Sequence, residues 1–439
     1  MSKSAAIDLT RGPITRNLWL FALPLMLGNL LQQCYNLVDT WVVGRWIGEN
    51  ALAAVGSSYT LMTFLTSVIF GLCLGSSAFF SMAWGQRDPE RLRNGVAVSF
   101  LGIGGVTLVL TLLVSLCVEP ILTLLQVPDA LRADCGCYLR WIFAGIPAAF
   151  LYNYGANLLR GVGNAAVPLA FLAVSTVLNI LLDLLMVAVL GLGIAGAAQA
   201  TILSQYVSGL GLTLYILLKH RELCPRRGNL RLQLSLLREI GALSGYTCLQ
   251  QSVMNFGILM IQGLVNSFGA TVMAAFAVAV KLDTLAYMPV QDFGNAFSTF
   301  VAQNHGAAQP ERIRRGIRAA LLSVLVFCLI ISGIVYALAP QLMGLFTDAS
   351  QTELIATGTQ YLRIEGAFYL GIGILFLLYG YYRAVARPRV SLLLTVISLG
   401  TRVLLAYTCS PLFGVTALWW AIPIGWFLAD VTGAVIYRR

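Results

Sequence analysis

Charge is what this sequence has least of. Aspartate, glutamate, lysine and arginine make up 10% of its 439 residues, against roughly 25% in soluble domains, and 58% of the chain is hydrophobic. That excludes a soluble protein with a large core. Lysine stands only at 3, 219 and 281, so the chain has no GxxxxGK[ST] phosphate loop and no ATP-driven pump is built into it. Histidine is nearly absent as well. His220 and His305 both fall in joints between apolar runs, which excludes a histidine-based metal or proton site within those runs. There is no HExxH and no Ser or Cys nucleophile beside a base, so no enzyme is expected. Cysteines such as Cys34, Cys73, Cys117, Cys248 and Cys328 lie inside apolar segments, and no CxxC occurs. They read as small apolar filler. Nothing calls for a cofactor.

What is present is a series of apolar stretches, each near the twenty residues that span a bilayer. They run over 14–43, 51–85, 94–118, 134–159, 164–190, 193–218, 235–267, 271–304, 315–338, 354–382, 388–411 and 415–437. The expected fold is all-α and polytopic, with about twelve transmembrane helices in contact with lipid. The first stretch lacks a small-residue cleavage site and is too long for a removable signal peptide. The net charge of +10 is not gathered into a patch, so nucleic acid is not an expected partner. Instead the bases alternate between joints. Lys3, Arg11 and Arg16 precede the first span, Arg87, Arg91 and Arg93 follow the second, and Lys219 to Arg238 follow the sixth. Arg312 to Arg318 follow the eighth and Arg383 to Arg389 the tenth. The other joints carry Glu49, Glu119, Asp129, Asp134, Asp348 and Glu353. The positive-inside rule then places both termini in the cytoplasm of a multi-pass inner (plasma) membrane protein.

The halves repeat one another. GQRDPERLRNG at 85–95 returns as GAAQPERIRRG at 306–316, an offset of 221, and YLR at 138–140 returns at 361–363. Duplication is the reading. Two six-helix lobes are expected, residues 1–218 and 235–439, joined by a cytoplasmic linker over 219–234. An even number of helices per repeat relates the lobes by a pseudo-two-fold axis along the membrane normal. A single chain, working as a monomer, is expected to suffice.

The first span is the most informative. FALPLMLGNLLQQCYNLVDTWVVG carries Gln32, Asn36 and Asp39 to Thr40 on one stripe, with Asn29 and Gln33 beside it. A membrane carboxylate costs several kcal/mol unless it meets a polar cavity or a partner, which marks Asp39 as functional. Pro24 removes a backbone hydrogen bond and predicts a bend, hence a candidate hinge. On the fifth span NILLD sets Asn179 and Asp183 one turn apart on one face. Asn157 of the fourth span and Thr201 of the sixth add further oxygens. An all-oxygen set suits Na⁺, and two close carboxylates also share a proton readily, so either ion fits. The alternative use of the same groups is hydrogen bonding between helices. In the second half no acid sits with the amide face of the seventh span. Gln251 and Asn255 share a face there, and the eighth span holds Lys281, Asp283, Tyr287 and Asp292. Gln32, Tyr35, Asn36, Gln251, Asn255, Asp283 and Tyr287 are the candidate lining of a substrate cavity. Glu365, Arg402 and Asp430 are further membrane charges, for which internal pairing is expected.

LPLMLGNLLQQCYNLVDTWVVGRWIGENALAAVG, GQRDPERLRNG, LLRGVGNAAVP with NILLD, and AFSTFVAQNHGAAQPERIRRG together resemble the bacterial multidrug and toxic compound extrusion (MATE) family, over nearly the whole chain. The resemblance implies two six-helix lobes and drug efflux by antiport against H⁺ or Na⁺. It implies a cation site at Asp39, Asn179 and Asp183, with Thr201 and Asn157 as further ligands. Gln250 and Gln251 stand where some members carry an acid on the seventh helix, a departure from the family pattern that leaves a coupling site in the second lobe open. The expected substrates are amphipathic, often cationic organic compounds, moved by alternating access. The competing expectation is a flippase or exporter of lipid-linked or anionic substrates on the same fold. A major-facilitator signature, Gly-x-x-x-Asp-Arg-x-Gly-Arg, is absent.

Overall fold

The structure, a computed structural model, describes residues 6–124, 127–225, 233–347 and 350–438. Lys3, Arg226, Arg227, Arg231 and Asp348 of the charge pattern lie outside the described residues, as do the side chains of Glu49 and Tyr59. The described chain is helical, with no strand among its residues. Helices α1 (Ile14–Trp46), α2 (Glu49–Gly85), α3 (Pro89–Leu116), short α4 (Val118–Leu124), α5 (Asp129–Gly161), α6 (Ala166–Asp183) and α7 (Gly193–Lys219) make up the first half. The second half is α8 (Leu234–Asn266), α9 (Ala270–Gly306), α10 (Pro310–Gly344), α11 (Thr352–Ala367), α12 (Tyr369–Ala384), α13 (Pro388–Phe413) and α14 (Val415–Arg438).

Among the described residues eleven helices are long and apolar enough to cross a membrane, and α11 with α12, bent by 53°, makes up to a twelfth if the pair is one span. The expected span over 354–382 is thus divided into two helices with a bend between them. The break has a local cause. Phe368 N–H bonds the Glu365 carbonyl at 2.9 Å and Gly371 N–H bonds that of Phe368 at 2.8 Å, so the chain tightens to three-residue closure between the two α segments. Large apolar side chains stay exposed along one face of the spans. Leu108, Leu112 and Leu116 of α3 and Leu322, Val326 and Ile330 of α10 are examples, at spacings of four. Four residues is a helical turn, so each set forms a stripe suited to lipid.

The repeated PER motif has a packing explanation in both places. Pro89 and Pro310 open α3 and α10 at positions where a missing N–H costs nothing. Arg91 lies over the Phe79 ring at 5.4 Å and Arg312 over Phe300 at 5.7 Å. The motif's last glycine, Gly95 or Gly316, lies under the same ring, where a Cβ would collide. Just before the proline, Arg87 and Ala308 both take the left-handed conformation, with φ of 56° and 52°.

Two compact units are present, Met1–Asp8 with Leu23–Cys248 and Leu9–Ala22 with Leu249–Arg439. Their limits fall inside helices rather than at the expected 218 and 235. The first division within α1 comes just before Pro24, and α8 is divided after Cys248. The opening turns of α8 seat on α2. Ser76 and Ser244 hydroxyls share a hydrogen bond at 2.8 Å, and a Cβ on Gly71 or Gly75 would fall 2.5–2.7 Å from the α8 backbone. In the second unit Trp19 packs 5.0 Å from Phe293 and donates to Ser323 Oγ at 3.3 Å. Arg312 gathers the carbonyls of Leu9, Arg11 and Gly12 at 2.9–3.2 Å.

Candidate cation site

In the first unit, α1 and α6 bring the carboxyl groups of Asp39 and Asp183 into hydrogen-bonding contact. Asp183 and Asn179 are fully buried. Among the described residues neither acid has a basic side chain against it. Asp39 Oδ1, both oxygens of Asp183 and both amide atoms of Asn179 are buried without an aligned hydrogen-bond partner, although the Asn179 amide lies beside Asp183. Two ionised carboxylates about 4 Å apart repel by roughly 4 kcal/mol at an effective dielectric of 20. The pair therefore needs a proton or another cation between its oxygens.

Around the pair the structure sets two phenols. Tyr35 lies near both acids and donates to Thr201 Oγ1 at 3.3 Å, and Tyr138 of α5 stands near both acids as well. Tyr35 also faces a pocket of about 120 Å³ with Gln32, Tyr152, Asn153, Thr176 and Gln205 on its wall. At about 30 Å³ per water that is room for an ion and a few waters. Thr176, Asn179 and Asp183 climb α6 from this pocket to the acids. Immediately beyond Asp183, residues Leu184–Val189 wind as a wider π turn, of the kind that often accompanies functional positions.

Not every candidate joins this group. Asn157 donates to the Asn153 carbonyl at 2.9 Å and its own carbonyl accepts from Ser77. It lies one turn from the end of α5, whereas Asp183 is seventeen residues up α6, about 25 Å by helical rise. Asn153, one turn before Asn157, is the amide that faces the pocket. Asn36 is half-buried and its carbonyl accepts from Thr40 at 2.7 Å. Tyr138 was not singled out. Its signal, the repeated YLR, was legible only as a repeat.

The second unit buries Asp283 among side chains of other helices. Tyr369 of α12 donates to Asp283 Oδ1 at 2.7 Å, and the Tyr361 hydroxyl lies 3.5 Å from Oδ2. Glu365 is in hydrogen-bonding contact with Asp283, and Arg402 and Tyr287 stand near both acids. Asp283 is 4% exposed and Glu365 1%, so this is a closed cluster, not a wall. Gln251 and Asn255 lie half-buried on α8, Asp292 is buried, and Lys281 is exposed.

The MatE family model matches residues 24–185 and again residues 247–408. The chain is 30% identical over 396 residues to the probable multidrug resistance protein YpnP of Bacillus subtilis (strain 168), covering 90% of this chain and 87% of that one. It is 26% identical over 442 residues to the FAD transporter of Shewanella oneidensis, covering 98% and 96%. Among solved structures it is similar to an outward-facing conformation of a multidrug resistance MATE family transporter of the MOP superfamily, with a TM-score of 0.90 at 23% identity over 100% and 98% of the two chains. Helices, spans, the twice-matched model and these relatives agree: the chain belongs to the MatE family of multidrug-efflux membrane transporters, and it is not an enzyme.

Proposed function

We propose that this chain is a cation-coupled antiporter that exports amphipathic, often cationic organic compounds by alternating access. One observation carries the reading. The first unit holds two acids in contact with no base beside them, an arrangement that asks for one mobile positive charge. Asp39 and Asp183 hold the ion, Asn179 and Thr201 complete its oxygen shell, and Tyr35 stands between the acids and the polar pocket. H⁺ and Na⁺ both meet the requirement. Ion and drug favour different shapes of α1, so each shifts the population away from the other. Pro24 is the hinge in this reading, because the carbonyl one turn before it lacks its helical donor. The protein works as a monomer in the inner membrane with both termini cytoplasmic, a placement supported by the alternation of bases and acids along the chain.

The test is flux of a fluorescent organic cation in proteoliposomes, with Na⁺ and pH gradients imposed separately. One gradient drives concentrative export; equal flux with and without both gradients sinks the reading. Pro24→Ala is expected to shrink the ion's effect on drug affinity, and an unchanged effect removes the hinge alone. A second reading, export of anionic or lipid-linked substrates, is favoured by the relative named as an FAD transporter. Competition by flavin nucleotides but not by organic cations would select it.

A further inference from the structure

The two copies of the PER motif differ in what covers them. At the motif's offset of 221, Arg93, Asn94 and Ala97 of α3 answer to Arg314, Arg315 and Arg318 of α10. In the first copy this face is closed by the chain itself. Arg93 is buried and its Nε donates to the Glu222 carbonyl at 2.9 Å, Ala97 is buried, and Arg91 meets Glu239 at 2.7 Å. In the second copy Arg314, Arg315 and Arg318 are all exposed. Arg314 reaches Glu311 at 3.2 Å, but both side chains stay 70% or more exposed. Arg315 and Arg318 form no ion pair among the described residues.

These arginines stand at the foot of a lipid-facing stripe. Arg314 and Arg318 continue, at the same spacing of four, the row of Leu322, Val326 and Ile330, which are 51–62% exposed. Arg315, on the turn before Arg318, lines a cleft of about 340 Å³ with Ile14, Gln309 and Glu311. From its first turns onward α10 thus presents fixed positive charge and then an apolar row about 18 Å long by helical rise. A phospholipid has the same order, an anionic headgroup followed by hydrocarbon. The chain offers no cover of that kind for this face. Residues 1–5 and 226–232, which lie outside the described residues, contain bases and no acid. Arg312 is already committed, since its guanidinium donates to the carbonyls of Leu9, Arg11 and Gly12.

We infer that the first turns of α10 bind an acidic phospholipid, its phosphate held by Arg315 and Arg318 with Arg314 beside them, and an acyl chain laid along Leu322, Val326 and Ile330. The bound headgroup offsets the repulsion among three arginines set within five residues. It also steadies the turn from which Arg312 holds the lead-in to α1. The inference needs only the placement of α10 in a membrane and is independent of the coupling ion and the exported compound.

The experiment follows thermal unfolding of purified full-length protein in a neutral detergent as phosphatidylglycerol, phosphatidylcholine or inorganic phosphate is added. Native mass spectrometry counts the phosphatidylglycerol retained. Wild type is expected to be stabilised by phosphatidylglycerol alone, and less so in high salt. A basic side chain at an anionic lipid surface is worth roughly fivefold in affinity, so Arg318→Gln should weaken phosphatidylglycerol binding by about that factor. The triple variant Arg314→Gln/Arg315→Gln/Arg318→Gln should weaken it on the order of a hundredfold. Replacing the same three by lysine keeps the charge and should keep most of the affinity. Arg91→Gln, in the covered copy, should leave it at the wild-type value. Should the triple variant fail to fold, the three single substitutions carry the test. Equal phosphatidylglycerol affinity in wild type and the folded glutamine variants overturns the inference. Inorganic phosphate stabilising as well as phosphatidylglycerol overturns it too, by making the site one for free anions. Equal stabilisation by phosphatidylcholine removes the headgroup and ends the proposal.

Discussion

Asp39 and Asp183 of the first unit have an amide and two phenols around them, whereas Asp283 and Glu365 of the second have three phenols around them and Arg402 nearby without an ion pair among the described residues. The surroundings are alike in their tyrosines and differ in one positive charge. On the proposed antiport reading, the difference teaches that burial of an acid is not enough to mark it as an ion-exchange site. An acid pair is poised for exchange when its neighbours leave it short of one charge, and it is structural when a fixed base makes the charge up. Neutral donors such as tyrosine fit either case. They lower the cost of the acid without settling the account.

The largest effect should come from Asp183→Asn. The amide keeps the shape and removes the charge, so coupled efflux falls to the passive leak while the protein stays folded. Wild-type flux in vesicles would end the distinction between the units. Next comes Tyr369→Phe, which removes the 2.7 Å bond to Asp283. A hydrogen bond to a charged group contributes about 1.5–3 kcal/mol, so thermal unfolding in detergent should show a stability loss of that order with the coupling ratio unchanged. A changed ratio would show that the second cluster takes part in coupling. Tyr35→Phe loses only a 3.3 Å bond to Thr201. Cation affinity should weaken by roughly two- to tenfold, about 0.5–1.5 kcal/mol, with the maximal rate little altered. The smallest effect concerns the paired arginines of the PER motif. Arg91 meets Glu239 at 2.7 Å with both side chains about 37–38% exposed, whereas Arg312 binds backbone carbonyls. Glu239→Gln should cost only about 0.2–1 kcal/mol, and less in high salt. An Arg312→Gln variant should instead lose stability that salt does not erase. Equal salt dependence in the two variants would make them equivalent.

Much of this was legible in the sequence because the membrane permits so few solutions. Twenty-residue apolar runs, bases in alternate joints and a repeated PER motif carry the fold, since backbone groups in lipid must bond within the segment. Asp39, Asn179 and Asp183 were legible because helical periodicity puts the last two on one face and because an acid in an apolar run stands out. Asp283 was visible for the same reason, but its burial in a side-chain cluster was not. Its partners Tyr361, Glu365, Tyr369 and Arg402 come from three other helices, 78 or more residues away, and no local pattern encodes such a meeting. The break at Phe368 lacks a proline to announce it. The unit limits inside α1 and α8 were hidden for a different reason: hydropathy marks where a helix runs, not which neighbours each turn packs against. Asn157 and Asn153 lie one turn apart on α5, and spacing alone does not say which of them a pocket will meet.

The π turn at Leu184–Val189 also bears on chain length. It closes through bonds such as Leu190 N–H to the Leu185 carbonyl at 2.9 Å, five residues apart instead of four. The same axial distance is thus covered with about one residue more than an α-helix uses. Deleting one residue between Leu184 and Val189 should let the stretch relax to α-helix and leave Asp183 aimed at Asp39. Deleting one between Thr176 and Asp183 would swing the acid by about 100° away from its partner. The turn is a slack length of chain, a place where one residue more or less can be taken up just past the acid while the helical register of everything before it is kept.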